Sequence, residues 1–317
     1  MAIKAGLGTP SHPGGFFETP VLFAAIRYDL AGVLMLAYAA YATDRLVPRT
    51  RTEWVNVLSA GALMIAAYHA LLFIGETDPA VNSATAAVIV SLSPVLTTAF
   101  ARLLLPSERL TVLGLLGMFL GLLGVVVLSQ PPELVAAWYG LLETVGLASG
   151  PAPAAAISQG VTAKLLVFGA ALAFALGAVV SQRLDDDLPL ETMEAWAMLL
   201  GAGMMHVVSV GLGESVSDVT WSTDAIVALA YLSVAASALG FLIYFDLLEK
   251  LGAIEINLVS YVAPLFAAIS GFLFLSEVVD AATVAGFLVI LVGFGLLKRD
   301  AIREEFFGGG RPTPADD

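Results

Sequence analysis

The side chains of this sequence that can do chemistry stand inside apolar runs. Arg27 and Asp29 lie in PVLFAAIRYDLAGVLMLAYAA, His69 in an uncharged run that ends at Gly75, and Glu194 and His206 in LETMEAWAMLLGAGMMHVVSVG. Charge is expensive in hydrocarbon, so such groups face water, a ligand or one another. Two residues apart on a helix, Arg27 and Asp29 project to different sides and cannot pair. Arg27 suits a substrate carboxylate, and Asp29 an amine or a proton; the structural alternative is a charge pair with a neighbouring helix. His69 and His206 change charge between about pH 5 and 8, which suits proton coupling, while a bond between helices is their plainer role. Glu194 lies one turn into its span, within reach of a cavity mouth, and Glu191 a turn earlier is solvated. Pro94 and Pro264 sit near the middle of their spans, where each frees a carbonyl and makes a hinge. Ser91, Ser93, Asn257, Ser260 and Tyr261 precede them and offer neutral hydrogen bonds, or, for the serines, bonds back to their own helix. Asn257 and Tyr261, one turn apart, share a face.

Other chemistries are excluded by what is missing. The chain has no Cys and three His, so neither thiolate nor HExxH metal sites can form. No GxxxxGK[ST] loop appears, so ATP is not the energy source, and no cofactor is expected. A membrane enzyme acting on lipid needs paired groups at one depth, but Asp29 and Glu194, the deep carboxylates, fall in opposite halves of the membrane. A net charge of −13 with pI near 4.5 argues against nucleic acid as a partner. The acidity fits either a halophilic surface or ordinary acidic loops.

The elements that must hold these groups are transmembrane. Hydrophobic residues are 59% and charged residues 13% of the 317, with mean hydropathy +0.90, so the chain is an all-α polytopic membrane protein. Hydropathy predicts nine spans: 19–42, 54–75, 81–105, 110–128, 164–180, 193–212, 225–245, 256–275 and 278–297. Segment 129–163 is a long linker whose Leu134, Val135, Trp138, Leu141, Leu142 and Val145 recur at the spacing of a surface helix. Residues after Phe307 read as a disordered tail. Arg45, Arg49, Arg51, Arg102, Arg109, Arg183, Lys250, Lys298, Arg299 and Arg303 fall on one side if the spans alternate, Lys164 being the exception. The positive-inside bias makes that side, with the C-terminus, cytoplasmic, and the linker external. Thr19 then starts outside, so something before it should have crossed.

A repeat accounts for that. Aligning 91–128 with 261–297 puts Pro94 on Pro264, Glu108 on Glu277, Gly117 on Gly286 and Gly124 on Gly293; upstream, Gly32 falls on Gly201. Glu108 and Glu277 begin helices whose positive ends they favour. Gly114, Gly117, Gly121 and Gly124 permit close helix packing and are a candidate homodimer contact. Ala2–Leu7 aligns with 179–184, the end of a span, so the opening reads as the tail of a helix largely missing from the chain. Five spans per copy invert the second, giving a ten-helix plan of two inverted repeats, 1–128 and 164–298, with a tail at 299–317.

At SLSPVLTTAFARLLLPSERL, and again at SYVAPLFAAISGFLFLSE with GFLVILVGFGLL, the chain resembles the EamA-type transporters of the drug/metabolite transporter superfamily. The resemblance implies a plasma-membrane carrier in the lipid bilayer, often an exporter, for small metabolites, amino acids or drug-like compounds, with its cavity between the repeats. A receptor or scaffold without flux is the other reading.

Overall fold

A computed structural model describes residues 2–9, 12–13, 15–104, 112–129, 160–184, 187–251, 263–276, 278–297 and 299. Its helices are α1 (Ala2–Leu7), α2 (Pro20–Ala42), α3 (Arg51–Glu76), α4 (Ser83–Val90), α5 (Ser93–Leu104), α6 (Val112–Ser129), α7 (Val161–Leu184), α8 (Leu190–Gly211), α9 (Thr223–Tyr231 running on through Leu232–Leu239 and Gly240–Leu251), α10 (Ala263–Leu275) and α11 (Ala281–Leu297). Between α1 and α2 a two-residue hairpin pairs Gly8 with Pro13 and Thr9 with His12. Six helices among the described residues are long and apolar enough to cross a membrane, and shorter apolar helices accompany them. The interfacial helix expected in the linker, Glu108, Glu277, Asn257, Tyr261 and the tail after Arg299 lie outside the described residues.

Helix starts are set by short polar caps. The Thr50 hydroxyl accepts from Glu53 N while Glu53 accepts from Thr50 N, a capping box. Asn82 caps α4 through Thr85 N, and Ser222 caps α9 through Ala225 N. The outward faces carry exposed Val33, Val207, Phe266 and Phe274, a surface that hydrocarbon tolerates and water does not.

The repeat is visible in what packs on what. α2 lies against α8, and α6 against α11. A Cβ on Gly293 would stand 2.6 Å from Gly117 O, and one on Gly124 2.8 Å from Gly286 O. Since Gly117 aligns with Gly286 and Gly124 with Gly293, these crossed contacts are the ones a pseudo-two-fold axis produces. The glycine stripe therefore packs within the chain. Gly61 and Gly201 make a second close approach, between α3 and α8, where a Cβ on Gly201 would meet Gly61 O at 2.8 Å. The interval from Gly32 to Gly201 also carries Pro20, at the start of α2, onto Pro189, the N-cap of α8.

Two departures from α geometry recur at matching places. In α3, Gly61–Ala67 is π-helical, and in α9 so is Leu232–Leu239. The chain also breaks at Ser91–Leu92, just before Pro94. There the loosened carbonyls of Val88 and Val90 accept the Ser91 and Ser93 hydroxyls at 2.6 and 2.7 Å. Pro264 is likewise the second described residue of its helix, and both prolines are buried.

The two ends of the bundle differ in charge. Arg45, Arg49, Arg51, Arg102, Arg183 and Lys250 gather at one, here the basic end, beside Asp44, Glu53, Asp187, Glu191 and Asp246. The other holds Glu18, Asp78, Glu214, Asp218, Asp224 and Asp280, with Lys164. The expected alternation of spans is met by contacts at both. Arg45 reaches Asp187 O at the basic end, and Asn82 reaches Val278 O at the acidic end. α1 packs beside α9 at the acidic end.

Candidate functional site

The buried polar groups converge where α2 meets the π segment of α9 and the stretch of α3 that follows its own π segment. Arg27 is 4% exposed. Its Nε–H donates to Ser237 Oγ, on the π segment of α9, at 2.6 Å. The guanidinium lies 4.9 Å from the Tyr28 ring centroid and 5.9 Å from that of Phe73. Tyr28 in turn bonds His69 Nε2 at 2.7 Å, and His69 Nδ1 bonds Ile65 O, on the π segment of α3, at 2.9 Å. A carbonyl only accepts, so the tautomer that satisfies both partners carries its proton on Nδ1 and accepts the Tyr28 hydroxyl at Nε2. A π turn shifts the helical hydrogen-bond ladder by one residue and often marks a functional position. Here the π segment of α9 supplies Ser237 to Arg27 on α2, and that of α3 supplies the Ile65 carbonyl to His69, one turn on in its own helix.

Asp29 goes elsewhere, as its spacing from Arg27 requires. Its carboxylate meets His206 Nε2 of α8 at 2.7 Å, with both side chains partly exposed (44% and 39%). Glu194 is different. It is 1% exposed, and neither carboxyl oxygen has a hydrogen-bond partner among the described residues. Ser93 donates its hydroxyl to Val90 O, at the end of α4 across the break. Of the residues singled out from sequence, the fold thus joins Asp29 to His206 and gives Arg27 and His69 partners that were not foreseen. Tyr28, Phe73 and Ser237 were missed; an aromatic and a serine in apolar spans carry no signal until the neighbouring helix is known.

Each end of the α2–α8 pair is latched between the repeats. At the basic end, Arg45 bonds Glu53 Oε1 at 2.7 Å and Asp187 O at 3.0 Å, while its own carbonyl accepts from the Thr192 hydroxyl. Trp196 Nε1 donates to Leu46 O at 2.8 Å, and its ring meets Trp54 edge-on. At the acidic end, Glu214 accepts from Val21 N and Leu22 N at 3.1 and 2.7 Å, a carboxylate on the open N-terminus of α2. Thr220 N donates to Gly15 O there, and Phe16 lies between Phe23 and Trp221. The Gly32-to-Gly201 interval carries Arg45 onto Glu214. The two latches are the same position in the two repeats, with opposite charge.

The profile of the EamA-like transporter family matches this chain twice, over residues 17–130 and 161–298. The chain belongs to the EamA-like transporter family. Among similar proteins, the uncharacterized transporter YvbV of Bacillus subtilis is 27% identical, over 89% of this chain and 83% of its own. An uncharacterized transporter of Archaeoglobus fulgidus is 24% identical, over 89% and 90%. The uncharacterized inner membrane transporter YedA of Escherichia coli K12 is 24% identical, over 80% and 72%. A solved crystal structure of a protein 21% identical shares the fold with a TM-score of 0.58, over 90% of this chain and 89% of that one.

As an EamA-family member the chain is a multi-pass membrane transporter, with a small-molecule substrate and a lipid surround. The doubled match assigns α2 to α6 to the first family copy and α7 to α11 to the second. Arg27, Tyr28 and His69 therefore come from one copy and Ser237, Glu194 and His206 from the other. The polar cluster of this EamA-family transporter spans the interface between its repeats.

Proposed function

We propose that this chain is a secondary carrier that exports small metabolites, amino acids or drug-like compounds by alternating access between its inverted repeats. One observation carries the reading: the repeats are tied at both ends by latches at equivalent positions, Arg45 and Glu214. A rocking carrier must release one such tie while keeping the other. Segments 1–128 and 164–298 are the moving halves, joined by an external linker at 129–163. Pro94 and Pro264 serve as hinges, each at a matching helix start. The basic end is cytoplasmic by the positive-inside bias, which puts the tail at 299–317 in the cytoplasm. The membrane is the cell membrane, as the name of the related inner membrane transporter of E. coli supports.

Arg27, Asp29, His69, Ser93, Glu194, His206, Asn257 and Tyr261 are the cavity and coupling candidates. For coupling, Glu194 is favoured as a buried carboxyl without a hydrogen-bond partner among the described residues, and the Asp29–His206 pair as two titratable groups in contact. The test is efflux from proteoliposomes loaded with a mixture of metabolites and read by mass spectrometry, with and without a pH gradient. Protein-dependent loss of a compound supports the carrier. A full panel that stays inside would favour a receptor or scaffold.

A further inference from the structure

We propose that the substrate is an organic anion with a flat apolar body, and that Arg27 receives its carboxylate. The inference rests on the carrier reading and goes further by naming the chemical class. A guanidinium cannot shed its proton in a protein and has five N–H donors. At Arg27 one of them is used, on the neutral hydroxyl of Ser237. No carboxylate of the described residues pairs with it; Asp29, the nearest in sequence, is committed to His206 on α8. Glu194, the buried carboxylate of α8, makes no hydrogen bond with it among the described residues.

A cation this buried with so few partners is built to be completed by an anion. The fork of the guanidinium matches a planar carboxylate through two parallel N–H···O bonds. The surround of the guanidinium is aromatic. Tyr28 and Phe73 stack on Arg27, with Phe23 5.6 Å from Phe73 and Phe241 6.2 Å from Tyr28. Flat apolar groups pack well against such rings.

Three probes with one phenyl body separate the possibilities: phenylacetate, phenylacetamide and phenethylamine. The full chain is assayed in proteoliposomes for counterflow of each, and in detergent for thermal protection by each. Phenylacetate alone should exchange and protect. Arg27→Gln should lower phenylacetate counterflow by about 100-fold, and Arg27→Lys, which keeps the charge without the fork, should lose less. Protection without counterflow would keep the anion site and overturn the carrier. Counterflow of the amine or amide without phenylacetate would keep the carrier and overturn the anion site. Phenylacetate exchange that is unchanged in Arg27→Gln would remove Arg27 from the site. No response to any probe would defeat the proposal.

Discussion

Removing the Glu214 carboxylate should loosen the acidic end of the bundle and leave the basic end closed. Glu214 accepts from two backbone amides at the start of α2, Val21 N at 3.1 Å and Leu22 N at 2.7 Å. A hydrogen bond to a charged group contributes about 1.5–3 kcal/mol net when buried. Glu214 is half-buried and water can replace part of each bond, so about 2 kcal/mol for the pair is a working figure. That is about a 30-fold change in the ratio of closed to open at this end. The chain has no cysteine, so an introduced one reports without background. Ala24 is fully buried on α2, within a turn of both amides, and Ala24→Cys is the reporter. Its alkylation by a membrane-impermeant maleimide from the acidic-end side should quicken about 30-fold in Glu214→Ala. Glu214→Gln, which retains an uncharged acceptor, should give a smaller rise. Arg45→Ala, which loosens the opposite latch, should slow the same reaction. An alkylation rate unchanged by Glu214→Ala would show that this carboxylate does not hold the end shut.

Three further outcomes are expected. Gly293→Ala should cost about 1–3 kcal/mol of stability, because its Cβ would stand 2.6 Å from Gly117 O and 2.8 Å from Gly121 N, backbone atoms that cannot swing aside. Gly295→Ala, with nothing within 4 Å, should stay within about 0.5 kcal/mol; denaturation of both in one detergent decides it, and equal stabilities would remove the seam from the fold's energetics. Tyr28→Phe takes the hydroxyl from His69 Nε2, leaving a buried acceptor unpaired, and should lower stability by about 1–3 kcal/mol. A wild-type melting temperature in that variant would mean the bond contributes nothing. Glu194→Gln keeps the shape and removes the ionisable group, so flux should persist but no longer respond to a pH gradient. A gradient response intact in the variant would move coupling to another group.

What was legible in the sequence is what composition and periodicity control. The spans followed from runs without charge, and the inverted plan from Pro94 on Pro264 and Gly124 on Gly293. The glycine seam was legible as close packing but not as to partner. Gly117 and Gly293 meet across the repeats, and one sequence does not distinguish that from a contact between two copies. The π segments were not legible at all. GALMIAA and LSVAASAL are ordinary helix formers, and the extra residue per turn is imposed by what packs around them. Since those segments deliver Ser237 to Arg27 and the Ile65 carbonyl to His69, the site's actual bonds were hidden with them. The latch was hidden for another reason. Glu214 stands 193 residues from Val21, in a loop that reads as plainly solvated. Its meaning appears only once the repeat interval carries it onto Arg45.

In a rocking carrier the two ends open in turn. Spin labels on cysteines replacing Leu46 and Asp187 report the basic end, and labels replacing Glu18 and Thr220 the acidic end. Their distances can be measured by electron–electron double resonance in lipid nanodiscs. Alternating access requires that Glu214→Ala lengthen the 18–220 distance while 46–187 stays short, and that Arg45→Ala do the reverse. Both pairs lengthening together, or neither moving in either variant, would contradict it.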